Sequence, residues 1–222
     1  MYSTNEASEA AKVKHLSEIE LRQVLECARQ ASTKHHAMLL VGYLYALRNQ
    51  EIASMTVNQL DFANGQIMIE RSKNSISAKH PLIAVKGDPT MNVVAALKLW
   101  LAERGDHGTD ILFPSQKVST GFEQRGRVMS RRQVSRIFER YCQQASDARV
   151  ARGETPIPQD AMHAHALKHT RATVLVDRGA KPQTIQSILG HKSILSTARY
   201  MHPSLKQAWA ETRRLEQSAY AS

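Results

Sequence analysis

The sequence predicts a mainly α-helical fold holding one small antiparallel β-sheet, an α+β arrangement. Three observations carry this. Apolar residues recur at helical spacing over most of the 222 residues. Strand-like runs are confined to 57–85, and two of them flank Asn64-Gly65, a strong tight-turn signal. Gly105, Gly179, Pro182 and Gly190 fall where helices should stop or start.

Residues 1–14 read as a flexible polar tail. Ser17-Glu18-Ile19-Glu20 is a capping box, so a first helix should span about 18–30. A second, about 34–47, carries Met38, Leu39, Val41, Tyr43, Leu44 and Leu47 and is apolar enough to be central. Asn49 starts a short helix through Ala53. Strands at 57–62 and 66–71 meet at the Asn64-Gly65 turn, and a polar loop, 72–80, leads to a third strand at 81–85. Helix returns at about 89–103. Residues 131–144 form another, with Val134, Ile137, Phe138 and Tyr141 on its apolar face. Arg132, Arg136 and Arg140 stand at i, i+4 and i+8, a cationic stripe on the other side. Pro156-Ile157-Pro158 is a break. Further helices are expected at about 164–178, 182–190, 193–201 and 204–217. The domain division is a tail (1–14), a main domain (15–203) and a C-terminal helix and tail (204–222).

Net charge is +10, and half of it lies in 122–152, where eight arginines face three acids. Such clustering favours a polyanionic partner, because each cation placed on a phosphate releases a condensed counterion. No apolar run approaches the roughly 18 residues that span a bilayer. The polar N-terminus is not a signal peptide. Cys27 and Cys142 are the only cysteines and make neither a metal site nor a disulfide framework.

Tyr200 lies in Leu189-Gly190-His191-Lys192-Ser193-Ile194-Leu195-Ser196-Thr197-Ala198-Arg199-Tyr200-Met201-His202. Upstream, His165-Ala166-Leu167-Lys168-His169-Thr170 and Leu47-Arg48-Asn49-Gln50-Glu51 form two more boxes, and Lys73 follows the second strand. In order and spacing these four segments closely resemble the tyrosine recombinases, the phage-integrase family. The resemblance covers residues 16–203, nearly the whole chain. It implies the catalytic-domain fold of that family and cleavage and rejoining of DNA through a 3′-phosphotyrosine, with no ATP, metal or cofactor.

The resemblance also assigns roles. Arg48 would grip the scissile phosphate with its planar fork, buttressed by Glu51. Lys73 would protonate the departing 5′-oxygen, with Lys79 the competing candidate. His165 would accept the tyrosine proton or contact the phosphate. His169 would look inward and hold its helix in place. His191 would bond a non-bridging phosphate oxygen, and Tyr200 would be the nucleophile. Arg131, Arg132, Arg136 and Arg140 would face DNA, Arg132 reading a base edge and Arg136 and Arg140 binding phosphates. The expected partners are double-stranded DNA, further copies of the chain in a tetramer on DNA and a monomer when free, and accessory DNA-bending proteins. The expected setting is cytoplasmic and nucleoid-associated, in a prokaryote or phage.

Two departures stand out. Lys168 occupies the place of the family's second phosphate-binding arginine, offering a point charge instead of a fork; this puts rate in question more than binding. The additional N-terminal DNA-clamping domain of the usual recombinase does not precede these boxes, as in a truncated piece or in a naturally short member such as the inverters of fimbrial promoters. Two other readings share the pattern: a weakened member acting as a DNA-binding regulator, and a type IB topoisomerase.

Overall fold

The computed structural model describes residues 14–72, 75–105, 108–115, 118–119, 122–123, 127–163, 165–198 and 200, with 212, 213 and 217. The expected tail, Lys73, and most of the expected C-terminal helix lie outside the described residues; 212, 213 and 217 are helical.

Ser17 opens α1 (Glu18–Ala31) with the expected capping box, its hydroxyl accepting from the Glu20 N–H while the Glu20 carboxylate accepts from the Ser17 N–H. Leu21, Val24, Leu25 and Ala28 turn inward. Ser32 caps α2 (Thr33–Leu44), which is buried on nearly every side. The helices packed most closely against it are α1, α4 (Val93–Arg104) and α6 (His165–Asp177). The helix ends three residues before the expected boundary. Ala46 adopts φ 51°, and the Leu47 N–H reaches back to the Gly42 carbonyl at 2.9 Å. A left-handed alanine is costly, of order 1–2 kcal/mol, so something must hold this turn. Arg48 then begins α3 (Asn49–Ala53).

The β region forms the expected three-stranded antiparallel meander with shifted boundaries: β1 (Leu60–Asp61), β2 (Gln66–Ile69) and β3 (Ala78–Pro81), in that spatial order. Residues 57–59 are a 3₁₀ turn, because the Gln59 side chain folds back to accept from the Thr56 N–H. The third strand precedes the expected one. Its register pairs Ile67 with His80 and Ile69 with Ala78, and Pro81, which has no N–H to give, closes the ladder instead of opening it. Polar Lys79 and His80 disguised the strand as loop.

A two-residue ribbon, β4 (Val118–Ser119) with β5 (Phe122–Glu123), was not anticipated. Helix α5 (Arg131–Ala151) runs seven residues past the expected end, because small Ala145 and Ser146 continue its buried face. The Ser146 hydroxyl accepts from the Ile157 N–H, fixing the Pro-rich break against the helix. Pro182 opens α7 (Pro182–Leu189), and Gly190 at φ 67° ends it. The next helix, α8 (Leu195–Ala198), is shorter than expected. Most of the core lies between α1, α2, α4 and α5. A second, smaller cluster joins Ala46, Ala172, Leu175, Ile185 and Leu189, and half-buried Tyr200 packs against it. No helix among the described residues is long and apolar enough to cross a membrane.

Candidate active site

Three segments far apart in sequence meet at one cleft of about 360 Å³, lined by Arg48, His165, Lys168, His169, His191, Ser196 and Tyr200. Arg48 emerges at the start of α3. Its Nη1 donates to Glu51 Oε1 at 2.8 Å and Ser75 Oγ at 3.0 Å, which leaves the guanidinium fixed and about a third exposed. Glu51 is only 2% exposed. It accepts from the Arg48 N–H, the Arg48 and Arg71 guanidiniums, and the Ser72 N–H and hydroxyl. Burial opposes its charge, but these donors and the Arg71 charge outweigh it and hold the carboxyl below its usual value. Glu51 thus bonds two arginines, Arg48 and Arg71.

The helix α6 presents His165, Lys168 and His169 to the cleft; the first two share a face one turn apart. His165 lies exposed at the rim. Shielding from solvent and the nearby His163, Arg48 and Lys168 lower its pKa. Lys168 is buried, and its Nζ donates to the Leu189 carbonyl at 2.9 Å. Desolvation, then the positive charges of Arg48 and Arg71, push its ammonium down to about 7. Arg171, one turn on, lies over the Tyr43 ring and does not line the cleft. His169 corrects an expectation. It does not turn into the core; its Nδ1 sits 2.7 Å from the Tyr200 hydroxyl, at the cleft wall. The reason is local: Tyr200 folds back over α6–α7, so the position after Lys168 meets the phenol.

His191 follows the left-handed Gly190, with Nδ1 3.0 Å from Thr197 Oγ1. The hairpin loop reaches this turn: Ser75 bridges His191, and the Ile76 N–H donates to the Gly190 carbonyl at 3.1 Å. Lys73, in the same loop, lies outside the described residues; Lys79 is on β3 and does not line the cleft.

A groove of about 800 Å³ adjoins the cleft and shares Arg48 and His165 with it. Its far wall is the first half of α5: Arg131, Arg132, Ser135 and Glu139. Arg136 and Arg140 are exposed but do not line this groove, being further round the helix. The cationic stripe is thus split, with Arg131 and Arg132 nearest the cleft. Asn49 Nδ2 donates to Ser135 Oγ at 2.8 Å, pinning α3 to α5 in the wall of the groove.

Residues 14–207 match the phage integrase family. The chain belongs to that family. FimE, a type 1 fimbriae regulatory protein of Escherichia coli K12, is 29% identical over 196 residues, 86% of either chain. The tyrosine recombinase XerC of Bifidobacterium longum DJO10A is 28% identical over 176 residues, 79% of this chain and 45% of XerC. Among solved structures, XerA recombinase superposes with a TM-score of 0.69 at 22% identity, over 95% of this chain and 66% of XerA. The Tn1549 transposon integrase in complex with transposon right end DNA gives 0.68 at 21% identity, over 95% and 68%. The fold is that of a tyrosine-recombinase catalytic domain, and the function is that of a site-specific recombinase.

Sequence reasoning overlooked Arg71, Ser72 and Ser75, which complete the Arg48 cradle. A signal for Arg71 was available: Ile67, Ile69 and Arg71 share one face of a strand, so the arginine has core parity.

Proposed function

We propose that the tyrosine recombinase cleaves one DNA strand at a time, with Tyr200 as nucleophile. The phenolic oxygen attacks the scissile phosphorus, a 3′-phosphotyrosine forms, and the 5′-oxygen leaves as a hydroxyl. Rejoining reverses the step, so the ester bond energy is retained. The observation that carries this reading is the convergence of Tyr200 with Arg48, Lys168, His165 and His191 on one cleft.

A phenol with a pKa of about 10 is a weak nucleophile at neutral pH. His169 Nδ1, 2.7 Å from the hydroxyl, is placed to take its proton, which leaves His165 and His191 to bond the phosphate oxygens. Arg48 presents a rigid fork to the phosphate, and charge accumulating on the five-coordinate phosphorane is met by fixed donors that need not reorganise. Lys73 is the proposed acid for the departing oxygen. Double-stranded DNA would run along the groove beside α5, where Arg131 and Arg132 flank the cleft and Arg136 and Arg140 extend the positive surface. On DNA the chain would assemble as a tetramer, aided by DNA-bending proteins and by exchange of its C-terminal helix.

Lys168 favours a second reading. Its ammonium is committed to the Leu189 carbonyl and half neutral near pH 7, so the phosphate receives less charge than an arginine would give. A weakened member would occupy its site as a regulator. A labelled, nicked duplex carrying the target site separates the two. A covalent adduct with the wild-type protein that is absent from Tyr200→Phe supports the enzyme. Tight site-specific binding with no adduct supports the regulator.

A further inference from the structure

Arg71 is the least exposed charge at the site, its side chain 0% accessible. Nη2 donates to the Tyr45 and Ile188 carbonyls, both at 2.7 Å. Nη1 donates to the Ala46 carbonyl at 3.0 Å and to Glu51 Oε2 at 3.2 Å. Two helix ends, those of α2 and α7, therefore point their carbonyls at one guanidinium, which suits the negative ends of two helix dipoles. A buried arginine is costly unless it is paired; here both terminal nitrogens are, and only Nε, the atom packed against Gly190, lacks a hydrogen-bond partner.

What the guanidinium joins is the two halves of the cleft. Tyr45 and Ala46 lead directly into Arg48, and the left-handed turn at Ala46 is held by the bond to its carbonyl. Ile188 is followed by Leu189, whose carbonyl holds Lys168, and then by Gly190 and His191. Gly190 is fitted to this contact. A Cβ there would sit 2.9 Å from Arg71 Nε and 3.3 Å from Cδ and Cγ. Glycine is thus required at 190 twice, for its positive φ and for the close approach of the arginine.

We propose that Arg71 is a positioning residue for strand cleavage, a buried clamp that fixes the spacing between Arg48 on one side and Lys168 with His191 on the other. It touches no substrate. The role rests on the reading of the cleft as a phosphotyrosine-forming site. Misplacement of reacting groups by about 1 Å costs roughly 10² in rate, whereas the DNA-facing surface of α5 is untouched by Arg71.

The test uses Arg71→Lys, Arg71→Gln and Gly190→Ala in the full chain. Each is assayed for thermal unfolding, half-site affinity, and single-turnover adduct formation on a nicked duplex with protein saturating. Arg71→Lys is expected to stay folded, to bind a half-site within about threefold of wild type, and to form adduct about 100-fold more slowly. Arg71→Gln should be slower still, so that lysine gives partial rescue. Gly190→Ala, which removes no bond but displaces the guanidinium, should show the same split, slow cleavage with normal binding. Combined with Arg71→Lys it should cost less than it does alone, because the 2.9 Å clash with Nε goes with the guanidinium while the strain of a positive φ remains. Wild-type cleavage rates in Arg71→Lys overturn the proposal. So does a drop in rate matched by equal drops in affinity and folding in all three variants, which would make Arg71 a brace only. Absence of adduct with wild-type protein would remove the reading of the cleft itself, and the clamp with it.

Discussion

Lys168 offers the sharpest prediction, because the structure gives it a pKa of about 7 and a single-residue replacement that keeps its charge at any pH. The perturbation is Lys168→Arg, compared with wild type from pH 6 to 9. At pH 6 about nine tenths of the lysines are charged and at pH 8 about one tenth, so each unit above 7 removes close to tenfold of the ammonium, or about 1.4 kcal/mol of transition-state stabilisation. Arginine stays protonated throughout. The ratio of variant to wild-type rate should therefore be nearly flat below pH 7 and rise about tenfold per unit above it. Taking the ratio cancels the titration of every group that residue 168 does not perturb. The assay is second-order capture of a nicked duplex at DNA well below saturation, because that regime reports the groups of the free protein. A guanidinium is bulkier than an ammonium, and any overpacking would lower every value of the ratio together. It would leave the slope intact. A ratio constant from pH 6 to 9 would refute the assignment of a charged Lys168 to the transition state.

Other outcomes follow from the same geometry. Tyr200→Phe should abolish the adduct and leave half-site affinity within about twofold, checked by denaturing gels and equilibrium binding; an adduct in the variant would unseat Tyr200. Substituting Arg132, Arg136 and Arg140 together by Ala should lower the slope of log K against log salt by about 0.9 for each phosphate that is no longer neutralised; an unchanged slope and affinity would remove the stripe from the interface. Lys168→Met should relieve a buried cation. The folded pKa lies below the unfolded one of about 10.4, so the charge is disfavoured in the fold and its cost is full below pH 7. The stability gain of Met over Lys should be largest at pH 6 and shrink by about 1.4 kcal/mol per unit between pH 7 and 9 in denaturant melts; a gain independent of pH would contradict it. Truncation after Pro203 should impair synapsis more than half-site binding, and equal impairment of both would refute exchange of the C-terminal helix.

The sequence by itself picked out the segments around Arg48, Lys168 and Tyr200, which the fold brings to one cleft. The Ser17 capping box, the Asn64-Gly65 turn, Pro182 and Gly190 are local signals, and local backbone preferences suffice to place them. Arg48 with Glu51 three residues on is equally local, and the structure shows the ion pair. What depends on distant partners was not legible. The strand over 78–81 pairs with β2 through backbone bonds, and its polar side chains give no alternation to read. The direction of His169 depends on where Tyr200, 31 residues later, folds back. The split of the α5 arginines depends on how that helix is rolled against α3, which Asn49 and Ser135 fix. Above all, Arg71 has no local partner: three carbonyls and a carboxylate from α2, α3 and α7 surround it. A buried charge is tolerated only where tertiary structure supplies its counter-groups, so only the folded chain could show what that arginine holds together.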